Sequence, residues 1–130
     1  MPRLVLIAVG DAVAAALYTA VLELHGFEIE TSLDGLEAVD IAIARRPSLV
    51  ILDDDLPSLR AASICAILKQ TDTTRHIPLV VVTNESTSRL QYDLIANAGA
   101  DHIFAASCAP ELLALEAVRL SRAADISILT

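Results

Sequence analysis

The chain has 130 residues, enough for one domain with one core, and its 55% apolar content excludes a disordered chain. A formal net charge of −8, with two Tyr, two Phe and no Trp, argues against phosphate backbones, anionic lipid surfaces and base-stacking platforms. The longest uncharged stretch, Ala12 to Leu22, is about half of the ~20 residues that a membrane-spanning helix needs.

Met1-Pro2-Arg3-Leu4 leads straight into the first apolar run, Leu4 to Val9, without a signal-peptide pattern. Having no polar alternation, this run reads as a strand buried on both faces, as in a parallel sheet. Val13, Leu17, Ala20, Val21 and Leu24 then recur at helical spacing, and Gly26 stops the helix. Phe27 to Thr31 is a short second strand. Leu36, Val39 and Ile43 give a second helix one apolar stripe, with Pro47 after its end. Leu49 to Leu52 is the third run and ends at Asp53. A third helix is expected over Leu59 to Gln70, a fourth strand over Leu79 to Val82 ending at Thr83, and a fourth helix that stops near Gly99. Ile103 to Ala105 is a fifth strand, and Pro110 to Arg122 a last helix with Pro in its first turn.

Five such units without a linker or repeat predict an α/β fold, a doubly wound five-stranded parallel sheet with helices on both faces. The domain is expected over residues 1–123, with a tail over 124–130 and no output domain after it. Cys65 and Cys108 lie outside any CxxC pair and read as two semi-buried thiols in a reducing cytosol, so a cytoplasmic location is expected. His25, His76 and His102 are too scattered for a zinc site.

In doubly wound sheets the ligand crevice lies beyond the carboxyl ends of the strands. The residues there are Gly10 and Asp11, Asp53 to Asp55, Thr83 to Glu85, and Ala106 to Cys108. Asp53, Asp54 and Asp55 are the strongest signal. In an extended chain Asp53 and Asp55 share one side, where two carboxylates suit a hard cation such as Mg²⁺; a solvated, capping turn is the alternative. Thr83 offers a hydroxyl to an anion in the crevice, or ends a strand. Asp11 either meets the first helix dipole or adds a third carboxylate toward the same cation.

Together these segments resemble the receiver domain of bacterial two-component response regulators, over about residues 3 to 122. His25-Gly26-Phe27-Glu28 is similar to the family's "HGYEV", and Pro47 to Asp53 to its "PDLVLLD", which ends at the phosphoacceptor Asp. Pro57, four residues on, matches its "D-x-x-x-P". Ile77 to Thr83 resembles "IPVIVLT", Ala98 to Asp101 resembles "AGAD", and Pro110-Glu111-Leu112-Leu113 matches the start of its last helix. The resemblance implies a (βα)5 flavodoxin-like fold, Asp53 as acceptor of a phosphoryl group from a sensor histidine kinase, and Thr83 as the hydroxyl that contacts that group.

The departures are as specific. The family's two acids after the first strand, which hold Mg²⁺, fall on Val9 and Gly10, and only Asp11 follows. Its Lys-Pro after the fifth strand falls on Ala106 and Ser107, its aromatic switch residue on Ile103, and its glycine eight residues past the acceptor on Ala61. Phosphoryl transfer is catalysed mostly by positioning and charge neutralisation. Losing one preorganised stabiliser typically costs ~3 kcal/mol, roughly 10²-fold. The expectation is therefore an atypical receiver with weak or no phosphorylation, acting through protein–protein contact with a sensor kinase or other signalling protein. The alternative is a working acceptor, with Mg²⁺ on Asp11, Asp53 and Asp55 or with Arg60 swung into the crevice. A remote alternative is a haloacid-dehalogenase-like phosphatase, which shares an Asp-x-Asp after an apolar strand but needs a later Lys; none follows Lys69. Ile103, Leu112 and Leu115 mark the expected partner face, open to a homodimer, because the apolar residues of the last helix spread wider than one core stripe.

Overall fold

The computed structural model describes residues 3–129, and their side chains through residue 123. The chain alternates β1 (Leu4–Ala8), α1 (Ala12–Leu24), β2 (Glu28–Ser32), α2 (Gly35–Arg45), β3 (Leu49–Asp53), α3 (Ala61–Gln70), β4 (Leu79–Thr83), α4 (Arg89–Asn97), β5 (His102–Ala105) and α5 (Pro110–Leu129). All strand pairs are parallel, in the order β2-β1-β3-β4-β5. This is the doubly wound, flavodoxin-like sheet that the alternation predicts. The strand order reverses between β1 and β3, and that switch point opens a crevice at their carboxyl ends.

The continuous apolar runs are explained by what covers them. Alternate residues of one strand enter two different cores. Leu6, Val50, Leu52, Leu79 and Val81 pack under α2, α3 and α4 with Ala38, Ala42, Ile64, Leu68 and Ile95. Val5, Ile7, Leu49, Ile51, Val80 and Val82 pack under α1 and α5 with Tyr18, Leu22, Leu113 and Ala117.

The helix faces differ from the expected stripes. On α1 the core face carries Tyr18 and Leu22, while Val13, Leu17 and Leu24 stand in solvent. On α2 the small residues Gly35, Ala38 and Ala42 turn inward with Val39, and Leu36 and Ile43 face out. Small residues let the helix lie close to its neighbours. A Cβ at Gly35 would stand 2.7 Å from the Leu59 carbonyl oxygen. The third helix starts two residues later than expected, at Ala61, and the last runs on to Leu129. The expected boundary between domain and tail falls inside that helix, where side chains lie outside the described residues. Cys65 is fully buried and Cys108 exposed, so neither thiol is semi-buried. Burial pushes the Cys65 thiol up to about 12, which keeps it protonated. No helix among the described residues is long and apolar enough to cross a membrane.

Candidate functional site

Asp53 is the last residue of β3, and strand alternation gives its side chain the same sense as Leu49 and Ile51, toward the α1 and α5 layer. There it lines a cleft of about 140 Å³ with Val9, Asp11, Ala14, Tyr18, Val82, Asn84 and Ala106. Burial holds the Asp53 carboxyl above its ordinary range. The Asp55 N–H opposes that shift, the Asp55 charge adds to it, and the N–H groups of Gly10 and Asp54 oppose it.

The strand does not continue past Asp53. Its Oδ1 accepts the Asp55 N–H at 3.3 Å, and residues 54 and 55 form a turn. The three carboxylates consequently do three different things. Asp53 faces the cleft. Asp54 is 2% exposed and accepts from the Arg60 guanidinium at 3.3 Å. Asp55 accepts from the Asn84 side-chain amide at 2.9 Å, which ties the end of β3 to the loop after β4. Arg60 is thus held at Asp54 rather than swung toward Asp53.

Asp11 is the N-cap of α1, its Oδ1 accepting from the N–H groups of Val13 at 2.8 Å and Ala14 at 3.2 Å. It shares the cleft with Asp53, but the expected third carboxylate, Asp55, is turned to Asn84. Among the described residues no group of three His, Cys, Asp or Glu could hold a metal ion. Position 9 offers a buried valine and position 10 no side chain. The expected set of three is thus reduced to Asp11 and Asp53, two carboxylates that would hold Mg²⁺ only with water or phosphoryl oxygens completing its octahedron.

Thr83 ends β4 and lines an adjoining space of about 410 Å³ with Asn84, Glu85, Ala105, Ala106 and Ser107. Its carbonyl accepts the Ala106 N–H at 2.8 Å, which holds the starts of the two loops together. The two spaces share Asn84 and Ala106, so the alanine side chain leaves the crevice open from Asp53 to Thr83. No residue lining either space is cationic.

The loop that follows Asp53 is clamped from the far side. Asp34 caps α2 through Oδ1, and its Oδ2 accepts from the Ser58 hydroxyl at 2.5 Å. That bond holds the Asp34 carboxyl below its usual range. Ser58 adopts a φ of 75°, the conformation of a tight turn, and the Gly35 N–H reaches the Pro57 carbonyl at 2.9 Å.

Of the three residues expected on a partner face, Leu112 and Leu115 are 52% and 60% exposed, and Ile103 is half-buried against the α2–α4 core. Leu113 and Leu120 are buried, so the apolar breadth of α5 is divided between core and surface.

Sequence reasoning missed Tyr18 and the Arg60–Asp54 pair, and placed Asn84 at the crevice without giving it a role. Tyr18 had a signal: it stands at i+4 from Ala14 and i−4 from Leu22, the spacing of the true core face.

Comparison with known proteins gives a consistent result. The response regulator receiver domain family model matches residues 5–117. The polar-differentiation response regulator DivK of Brucella anthropi is 35% identical over 83 residues, covering 64% of this chain and 68% of DivK. The receiver domain of a signal transduction histidine kinase from Syntrophus aciditrophicus superposes with a TM-score of 0.86 at 27% identity, over 93% of this chain and 91% of that one. The receiver domain of the sensor histidine kinase PA1611 from Pseudomonas aeruginosa, solved with a magnesium ion coordinated in its active-site cleft, has a TM-score of 0.84 at 20% identity, over 93% and 98%. The match over 5–117 includes both segments on which the phosphatase alternative rested, and that alternative is dropped.

Proposed function

The chain belongs to the response regulator receiver family of two-component signalling, and on that premise we propose that Asp53 is its phosphoacceptor position and Thr83 its phosphoryl-contacting hydroxyl, in an atypical receiver that is phosphorylated weakly or not at all. The observation that carries this reading is the composition of the crevice. Val9, Gly10 and Ala106 stand where the family places two acids and a Lys, and no cationic side chain lines the space around Asp53. A dianionic phosphoryl group arriving there meets Asp11 and Asp53 without a neutralising partner. Such charge is what preorganised donors and metals offset in phosphoryl transfer.

In this reading the domain is a cytoplasmic signalling module rather than an enzyme. It works by contact with a sensor kinase or another signalling protein. Leu112 and Leu115, exposed on α5, supply an apolar face for that contact or for a second copy. Light scattering at two concentrations tests the second copy: a mass that rises toward the dimer supports it, and a strictly monomeric protein removes it.

The test of the acceptor chemistry is incubation with acetyl phosphate and Mg²⁺, followed by intact-mass measurement. Slow, substoichiometric modification at Asp53 is expected. Rapid stoichiometric modification of Asp53 would sink the atypical reading and restore the rearranged metal site, in which Asp11 and Asp53 share the cleft.

A further inference from the structure

The cleft at Asp53 contains one polar group that the family pattern does not supply. Tyr18 projects from the core face of α1 and is 4% exposed, so its ring is part of the core with Leu22 and Phe104. Among the described residues its hydroxyl takes no hydrogen bond. Among the described residues no fully enclosed side-chain nitrogen or oxygen lacks a partner. The hydroxyl is thus the part of the side chain that opens onto the cleft, whose lining it shares with Asp53 and Ala106. Buried phenols ordinarily find a partner, because an unmet hydroxyl loses its bond to water. Here the partner has to be whatever occupies the cleft.

We propose that Tyr18 is a ligand-contacting residue of the Asp53 site, its hydroxyl donating a hydrogen bond to a phosphoryl oxygen on Asp53, or to the water that stands there in the unmodified domain. The proposal rests on the reading of Asp53 as acceptor and adds a donor from α1, on the side where Val9 and Gly10 bring no acids. The geometry suits this role. A cleft of about 140 Å³ admits a phosphoryl group or a few waters and little more. Its other polar side chains are two carboxylates, which only accept when ionised, and Asn84, one of whose two amide N–H donors is engaged by Asp55. Tyr18 also keeps its proton. Burial, then the charges of Asp53 and Asp11, hold its phenol above the ordinary value, so it stays a neutral donor at physiological pH.

With acetyl phosphate as donor, the bond from phosphorus to the acetate oxygen breaks while a bond from phosphorus to an Asp53 carboxylate oxygen forms. Acetate leaves and no proton moves. Tyr18 contributes only the hydrogen bond that strengthens as charge gathers on the phosphoryl oxygens.

The experiment compares the full chain with Tyr18→Phe, which keeps the ring in the core and removes only the hydroxyl. The Asp53 carboxyl is titrated by NMR in both proteins. A donor to the charged carboxylate, direct or through water, favours ionisation, so the variant is expected to titrate at higher pH. A ring that merely fills the core would leave the titration unchanged, and that result overturns the proposal. The reciprocal measurement needs no change at Tyr18. In a Tyr92→Phe background, where Tyr18 is the remaining tyrosine, Asp53→Asn should bring the phenol titration down toward its ordinary value, and an unmoved phenol overturns the proposal equally. Acetyl phosphate labelling, where it occurs, is expected to be roughly tenfold slower in Tyr18→Phe, less than the loss of an enclosed oxyanion donor because this cleft is open. Absence of label in both proteins, with the titrations shifted, is the unphosphorylated limit of the atypical reading and leaves Tyr18 as the donor to the water at Asp53.

Discussion

The two rims of the sheet treat charge in opposite ways. At the amino end, the Lys69 ammonium donates to the carbonyls of Arg75 and Ile77 and to Asp101, and the same Asp101 oxygen accepts the Leu79 N–H that opens β4. Lys69 and Asp101 there each have a counter-charge and a backbone group to hold. At the carboxyl end, Asp53 faces a cleft with a second carboxylate and no cation. The paired rim locks α3, β4 and β5 together, and its charges are spent on the fold. The unpaired rim holds its carboxylate above the ordinary ionisation range, a strain that suits a site meant to meet something from outside.

The sharpest way to break the contrast is to give the open rim the charges it lacks. Gly10→Asp together with Ala106→Lys should raise the rate of acetyl phosphate labelling at Asp53 roughly 10²-fold, about 2.7 kcal/mol of barrier. A Cβ at position 10 meets the Asp53 carboxylate only at 4.0 Å, so the acid fits. A rate that does not change would show that charge at this rim is not what limits transfer.

The converse operation removes charge from the closed rim. Asp101→Ala leaves the Leu79 N–H and the Lys69 ammonium short of an acceptor, and should cost about 2 kcal/mol in urea unfolding. A smaller effect, about 1 kcal/mol, is expected for Arg60→Ala. It strips the partner from buried Asp54, but Arg60 itself is mostly in solvent.

The smallest effect carries the clearest sign. Because the folded-state pKa of Asp53 is raised, the folded domain holds that proton more tightly than the unfolded chain. The stability this gives is present below the ordinary carboxylate range and is lost as pH rises through the raised value. Asp53→Asn should therefore raise the thermal midpoint at neutral pH and change it little in acid. A neutral-pH midpoint that falls would mean Asp53 is better partnered than the open rim indicates.

The strands were legible because each apolar run is buried on both faces, so any phase of the pattern meets a core. The helices were legible as helices but not as faces. From Ala12 to Leu22 no charge marks the outside of α1, and the stripe through Val13, Leu17 and Leu24 looked as good as the true one through Ala14, Tyr18 and Leu22. On α2 size decided, since it presents mostly small residues to the sheet and leaves bulky ones outside, whereas on α1 the core took Tyr18 and Leu22. At the site, Asp53, Thr83 and the missing acids and Lys could be read from position alone. The separate fates of Asp54 and Asp55 could not, because they depend on a turn that places Arg60 and Asn84, residues distant in sequence, beside them. Tyr18 escaped for the same reason, as it lies on a face the pattern had assigned to solvent.

The outward leucines of α1, α2, α4 and α5 have a colloidal consequence. Leu17, Leu24, Leu36, Leu90, Leu94, Leu112 and Leu115 all stand in solvent, on a chain whose net charge is −8. At neutral pH mutual repulsion keeps these patches on different copies apart. Near the isoelectric point of about 4.6 that barrier disappears while the leucines remain, and the protein becomes its own precipitant.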